Sequence, residues 1–390
     1  MSNTPLDLDP HAQRLVEEGF HIESLPAHLV VHDVPYVDTQ GTVCNGKFIV
    51  PVTLSGNIVQ MQDHQIDFMG DFPHKADGAS LEPLLNKNIT SNVIKDGIIS
   101  NFKFSNHPVD DMLKNCYDKI KHYEAIICSE AQLINPDATA RLFKPPRSHT
   151  DSVFKYADTN TARAGVYEQA NRLRGQKIAI IGLGGTGSYI LDFVAKTTVK
   201  EIHLFDGDVF ENHNAFRAPG AAKMSDLKGR IKKVDYFTKR YKPMRRGIRG
   251  HGEYIDESNV NMLSRCNFVF VCIDSGKSRE IITKFLRENE IPFIDCGIDL
   301  ANRPVDNLLE ASARTTLITK LTAENAFPGL SFGDTKNDLY GSNIQIAEVN
   351  AHNAATAVIE WKKFSGFYAN DMPNSFQVVY DSQDSRMTRQ

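Results

Sequence analysis

The sequence predicts an α/β protein whose larger part is a doubly wound, mostly parallel sheet, preceded by a smaller N-terminal α+β domain. Three observations predict it. Residues 178–187, IAIIGLGGTG, set an apolar strand directly against a glycine-rich turn. From about residue 153 onward, β-branched runs alternate with stretches of helical periodicity, the order expected of a sheet flanked by helices. Residues 20–106 instead hold short β-branched and aromatic runs broken by turn signals, the order of a small sheet.

In the first part, KFIVPVTLSGNIV at 47–59 and HQIDFMGDFPHKADG at 64–78 read as strands and turns. A helix is expected next, because Val109, Met112, Leu113, Cys116, Ile120 and Tyr123 recur at helical spacing. KPPRSHTDS at 144–152 has the prolines and polar residues of a linker, which divides the chain into 1–150 and 153–390. A helix at about 161–174 then leads to the strand 177–181, where Ile178, Ala179, Ile180 and Ile181 read as buried on both faces. A helix to about 196 follows, then the strand EIHLFD and a helix from near Ser225 with Leu227, Ile231, Val234 and Phe237 on one face. FVFVCID and PFIDCG read as strands bracketing a helix at about 277–289. RTTLITK at 314–320 reads as a later strand, with an antiparallel direction open to it. A last helix near 344–364 carries Ala347, Ala351, Ala354, Val358 and Trp361 on one stripe.

At 390 residues, 41% of them hydrophobic, the chain can build a full core in two domains or one enlarged one. A formal charge of −4 supplies no overall pull toward nucleic acid or an anionic membrane. The exception is local: KRYKPMRRGIR at 239–249 gathers Lys239, Arg240, Lys242, Arg245, Arg246 and Arg249, either a solvated helix end or an anion site. Cys44, Cys116, Cys128, Cys266, Cys272 and Cys296 are scattered without CxxC spacing, against a zinc site or a disulfide framework. MSNTPLDLDPHAQ lacks the regions of a signal peptide, and no apolar run reaches the length of a membrane span, so a soluble cytoplasmic protein is expected.

The chemistry gathers around the glycine-rich turn. Gly182, Gly184, Gly185 and Gly187 let the chain turn tightly and let backbone amides approach a phosphate, the arrangement of a Rossmann-like nucleotide fold. Nineteen residues past Gly187 stands Asp206, at the end of the second strand, where an acid holds ribose hydroxyls in NAD-dependent oxidoreductases. DGDVFENHNAFR also supplies Asp208, Asn214 and Arg217, and GRIK at 229–232 adds Lys232. Two fixed cations exceed what a dinucleotide's diphosphate requires and suit a triphosphate whose diphosphate must leave. Asp274 ends FVFVCID, where open α/β sheets bind ligands, and is a hard oxygen donor suited to magnesium. Hydride transfer remains the alternative from another class, and a scaffold that merely keeps the fold is a third.

Taken in order, GLGGTG, DGDVFENHNAFR, GRIK and DSGKSR at 274–279 resemble the adenylating domain of the ThiF/MoeB family, which includes the ubiquitin-activating enzymes. The resemblance covers roughly residues 160–365. It implies ATP and Mg2+ as cofactors, with Asp206 on the ribose, Asn214, Arg217 and Lys232 on the phosphates and Asp274 on the magnesium. It implies further that Arg163 reaches the ATP of a partner subunit in a homodimer. The implied reaction is adenylation of the C-terminal glycine carboxylate of a ubiquitin-like protein, in a bacterial-type conjugation or sulfur-carrier pathway. Adenylation of a small molecule or tRNA is the runner-up. Because a carboxylate is already ionised at neutral pH, such a site needs cations and amides rather than a base, and His213 reads as a bystander.

Where many relatives carry an acyl-accepting cysteine, this chain has TAENAFPGLSFGDTKNDLYG at 322–341 and no cysteine after Cys296. The adenylate is then expected to pass directly to a partner, to a hydroxyl such as Ser331, Thr335, Thr315 or Thr316, or to Cys296 or Cys128. The N-terminal domain reads as a module recruiting the protein substrate or a conjugating enzyme. A site formed by His64, His74 and Cys128 is the sharper but less favoured alternative there.

Overall fold

The computed structural model describes residues 9–390 except 26, 56–57, 62, 96, 109–112, 145–151, 157, 159, 162–163, 165, 331 and 333–344. The chain divides into two compact units, Met1–Ser152 with Tyr156–Glu168, and Val153–Lys155 with Gln169–Gln390.

The first unit starts with α1 (Pro10–Glu17), whose N-terminus is capped by the Asp9 carboxylate on the amides of His11 and Ala12. Seven strands follow: β1 (Ile22–Leu25), β2 (His28–Val37), β3 (Val43–Ser55), β4 (Ile58–Met61), β5 (Ile66–Met69), β6 (Leu85–Lys95) and β7 (Ile98–Phe104). They form one antiparallel sheet of order β1-β2-β3-β5-β7-β6, with β4 paired to β3. One face is apolar by period-2 alternation: Leu29 and Val31 of β2 and Phe48 and Val50 of β3 share a core with Phe68 and Phe104. The helix α2 (Cys116–Ile134) closes this core with Ile120, Tyr123 and Ile127. Of the residues expected to begin that helix, Leu113 lies before it and Val109 and Met112 fall outside the described residues. Asn115 caps the true start, its side chain accepting from the Asp118 amide.

The second unit is the predicted doubly wound sheet. Its strands are β8 (Lys177–Ile181), β9 (Glu201–Phe205), β10 (Ile248–His251), β11 (Phe268–Val271), β12 (Phe293–Arg303), β13 (Leu308–Ile318), β14 (Gln377–Asp381) and β15 (Arg386–Arg389), in the order β10-β9-β8-β11-β12-β13-β14-β15. Pairing is parallel from β10 to β12 and antiparallel from there to β15. The helices are α3 (Gly185–Ala195), α4 (Lys233–Tyr241), α5 (Gly276–Glu288) and α6 (Ala347–Phe364), with shorter turns between them. Alternation along β8 shows both faces covered. Ile178 and Ile180 pack with Ile190, Val194, Phe237 and Trp361, whereas Ala179 and Ile181 pack with Leu263, Ile282 and Leu286. Each fully buried aliphatic side chain there contributes about 1.5–3 kcal/mol.

Three expectations are corrected. Of the helix at about 161–174, Tyr167–Asn171 is a short helix that ends in a turn through 172–175, where Gly175 takes φ 86°. The single helix from Ser225 is two, Met224–Lys228 and α4, because Arg230 adopts φ 46° and Lys232 bridges back to Val209. PFIDCG runs into an 11-residue strand from Phe293, and its antiparallel partner β13 ends with the first five residues of RTTLITK, 314–318.

Candidate functional site

The turn after β8 leaves Gly182 at φ 87°, where a Cβ would stand 2.5 Å from the Cys272 carbonyl oxygen. A Cβ on Gly185 would lie 2.2 Å from the Asn350 side chain of α6, and one on Gly187 would lie 1.9 Å from the Gly182 carbonyl oxygen. These three glycines therefore serve the packing of the turn, α3 and α6. Gly184 is the open position: a Cβ there would meet only Gln345 Oε1, 3.7 Å away. Gln345 Oε1 also accepts the Gly185 amide at 3.2 Å, at the amide-rich end of α3 where an anion oxygen is favoured. Asn350 Oδ1 accepts the Thr186 hydroxyl at 2.9 Å, tying α6 to the same turn.

Asp206, 6% exposed, accepts the Leu183 amide at 2.7 Å and the Asp208 amide at 2.8 Å. Its carboxylate braces the turn, and the more exposed acid of the pair is Asp208. Asp208 takes a charge-assisted bond from Lys233 Nζ at 2.7 Å and another from the Tyr254 hydroxyl. Burial pushes the Asp208 carboxyl up, but Lys233 and Tyr254 outweigh it and hold the group below the usual carboxylate range. Asn214, 2% exposed, closes a capping box: its Oδ1 accepts the Glu211 amide at 2.9 Å, and its Nδ2 has no hydrogen-bond partner among the described residues. Arg217 is half-buried, and its Nε likewise finds no partner among those residues. Burial lowers its pKa, against the attraction of Asp274 and Asp208, which places all three side chains in one electrostatic neighbourhood. Asp274 is exposed just before α5, and Lys232 is exposed with Nζ donating to the Gly252 carbonyl.

The arrangement can hold a polyanion: amides at the head of α3, a half-buried guanidinium with an unmet donor, and an exposed ammonium. Sequence reasoning missed Lys233, which is buried and bonded to both acids of DGD, and Tyr254. It also missed Asp295, 0% exposed on β12, paired with Arg279 at 3.2 Å and Arg314 at 2.9 Å. The adjacency of the two lysines in GRIKK was the available signal for Lys233. A buried Asp in a strand core was the signal for Asp295.

Other expectations fare differently. Arg163, Ser331 and Thr335 lie outside the described residues. Thr315 and Thr316 are not available as acyl acceptors. Both are buried on β13, with Thr315 donating to Asn353 Oδ1 and Thr316 accepting from Arg314 and Gln377. Cys128 is buried in α2 and its thiol is pushed up by desolvation, and Cys296 is buried on β12. His64, His74 and Cys128 do not gather, since His64 pairs with Ser105 at 2.8 Å and His74 with the Phe72 carbonyl at 3.0 Å. His213 is exposed, 3.6 Å from Glu211. The basic run 239–249 disperses: Lys239 faces Asp226, Arg240 donates to Tyr236, Arg249 faces Glu201, and Arg245 is buried. Among the described residues, no helix is long and apolar enough to cross a membrane.

Comparison with known proteins places these motifs. Residues 158–302 match the model of the ThiF family, and residues 10–159 match a domain of unknown function, DUF6791. Ubiquitin-like modifier-activating enzyme 5 of Culex quinquefasciatus is 25% identical over 154 residues, and that of Drosophila virilis 23% over 147. Each match covers 35% of this chain and 37% of the relative, so the chain spans little more than a third of the length of these curated relatives. Among solved structures, E. coli MccB with ATP aligns at TM-score 0.45 and 20% identity, over 57% of this chain and 65% of that one. PaaA aligns at TM-score 0.44 and 18% identity, over 57% and 75%. Residues 158–302, with their glycine-rich turn and DGD acids, are a ThiF family domain standing behind a domain of unknown function.

Proposed function

We propose that the chain adenylates a carboxyl terminus, that of a ubiquitin-like protein or a related peptide, at the expense of ATP. The observation that carries this reading is Arg217: a half-buried guanidinium whose Nε has no partner among the described residues, in the field of Asp208 and Asp274. A guanidinium held half-buried beside two acids, with its Nε enclosed and unpaired among the described residues, is a cation built into the fold, and its accessible part can meet a further anion. The neutral carbonyl of Gln345 on the Gly185 amide marks a second place where a phosphate oxygen fits. The matched relatives, named as ubiquitin-like modifier-activating enzymes, support the substrate class.

In this reading the substrate carboxylate oxygen attacks the α-phosphorus of ATP. The bond to the bridging oxygen breaks and diphosphate leaves with the electron pair. No residue need remove a proton, because the nucleophile is already an anion. Arg217, Lys232 and the head of α3 stabilise the charge that develops on the phosphates, and Asn214 supports them by holding the turn that carries Arg217 through its bond to the Glu211 amide. Asp206 and Asp208 line the ribose side. Among the described residues no group of three His, Cys, Asp or Glu is placed to hold a metal, so the nucleotide's own phosphates would supply most of a magnesium ion's ligands, with Asp274 as the protein's contribution.

The test is ATP–diphosphate exchange in the presence of the carrier. Arg217→Ala and Lys232→Ala should each lower exchange about a hundredfold, roughly 3 kcal/mol of transition-state stabilisation, with unchanged thermal unfolding. Near-normal exchange in both variants, or binding of NAD but not of ATP with magnesium, would reject the reading.

A further inference from the structure

Tyr254 follows β10 in a loop, and three contacts fix it. Its hydroxyl donates to Asp208 Oδ1. Its backbone carbonyl accepts Asn259 Nδ2 at 2.8 Å, and Asn259 in turn accepts the Asp256 amide at 2.9 Å. The ring lies directly on the backbone of Gly207, between the two acids of DGD: a Cβ at Gly207 would stand 2.6–2.8 Å from three ring atoms. The residue nevertheless remains 63% exposed. A large apolar ring is normally either buried or free to move, and here it is held rigid with much of its surface in water, which is what a preorganised contact surface requires.

Its position says what the surface is for. The hydroxyl stands in the field of Asp208, Asp206 and Asp274, and Gly252, two residues earlier, accepts from Lys232. The ring therefore flanks the acids on the side of β9 and β10 and is not among the amides of α3. Proton transfer is not its task, since the hydrogen bond to Asp208 raises the phenol to about 12. An aromatic face beside acids suited to ribose hydroxyls matches a nucleoside, whose base offers a flat partner for the ring.

Building on the adenylation reading, we propose that the exposed face of Tyr254 is the platform on which the base of the nucleotide stacks. Tyr254 then makes the site prefer a nucleotide over a bare polyphosphate of equal charge. It is a binding residue for the base and takes no part in the displacement at phosphorus.

Calorimetric titration of the full chain with ATP and with inorganic tripolyphosphate, each with magnesium, tests this. Tyr254→Ala should weaken ATP roughly tenfold and leave tripolyphosphate unchanged, whereas Tyr254→Phe, which keeps the ring, should stay within about threefold for both. Tyr254→Trp should report stacking directly as quenching of its emission by ATP but not by tripolyphosphate, against the constant background of the buried Trp361. Equal weakening of both ligands in Tyr254→Ala would show that the ring only supports the loop, and unchanged ATP affinity would show that the base lies elsewhere. Either result overturns the proposal while leaving adenylation standing. A wild-type chain that binds tripolyphosphate but not ATP would remove both.

Discussion

At its C-terminal end, α3 is finished by its own chain. Arg245, 1% exposed, donates to the carbonyls of Ala195, Thr197 and Val199, and its Nε donates to the Arg246 carbonyl at 2.9 Å. At its N-terminal end the Gly185 amide has the neutral side chain of Gln345 at 3.2 Å, and the same unit holds enclosed donors of Arg217 and Asn214 with no partner among the described residues. The two ends obey one rule, that unpaired helix groups must be satisfied, and differ in who satisfies them. A cation sealed against carbonyls is architecture, and a set of donors left short of acceptors is a receptor. Carboxylates divide in the same way. Glu23 in the first unit, 3% exposed, is closed by His32 at 2.8 Å and Lys95 at 2.6 Å, whereas Asp208 holds Lys233 and Tyr254 at an exposed rim.

The largest expected effect comes from opening the closed end of the helix. Arg245→Ala removes the donors of several buried carbonyls at once and should destabilise the chain by about 3 kcal/mol or more. Denaturant unfolding measures it, and ATP affinity measured well below the transition should be unchanged. An unfolding midpoint like that of wild type would mean that water replaces the guanidinium without penalty, and the contrast between the two ends would collapse.

A smaller effect is expected from the closed carboxylate. The hydrogen bond from His32, helped by Lys95 and opposed by burial, lowers the Glu23 pKa from 4.5 to about 2. The folded value lies below the unfolded one, so the stabilisation is fully present above about pH 4.5 and is lost as the pH falls toward 2. Thermal unfolding across that window should show stability declining with acid, and Glu23→Gln should flatten the decline and lower stability at neutral pH. A variant with the wild-type slope would assign the acid sensitivity to other groups.

What was legible in the sequence was whatever is local. GLGGTG and the DGD acids declare themselves because a turn, a strand end and a helix start lie within a few residues of one another. The parallel strands declared themselves through continuous apolar runs. Lys233 was hidden by its neighbour: only the left-handed Arg230 and the bridge from Lys232 to Val209 decide which of two adjacent lysines turns inward. Tyr254 was hidden because it follows a four-residue strand whose IRGH sequence carries no apolar run. Arg245 was read with its exposed neighbours because a charge cluster looks alike whether or not one member turns inward to buried backbone carbonyls. The short strands β14 and β15 escaped for a related reason, since their pairing with β13 and with each other is set by contacts distant in sequence.

The smallest effect is the one that sharpens the comparison most. If Gln345 merely occupies the place of a phosphate oxygen, ATP must displace it, and the cost is that of one neutral hydrogen bond, about 1 kcal/mol. Gln345→Ala should therefore tighten ATP by roughly fivefold, because the Gly185 amide then meets the nucleotide without a competitor. Gln345→Glu should weaken it, since a carboxylate at the head of α3 competes for the same amide with a full charge and repels the phosphates. Titration of both variants with ATP and magnesium decides the matter. If Gln345→Ala instead loses affinity, the side chain holds the nucleotide directly, and the open end of α3 would then be satisfied by ligand and protein together.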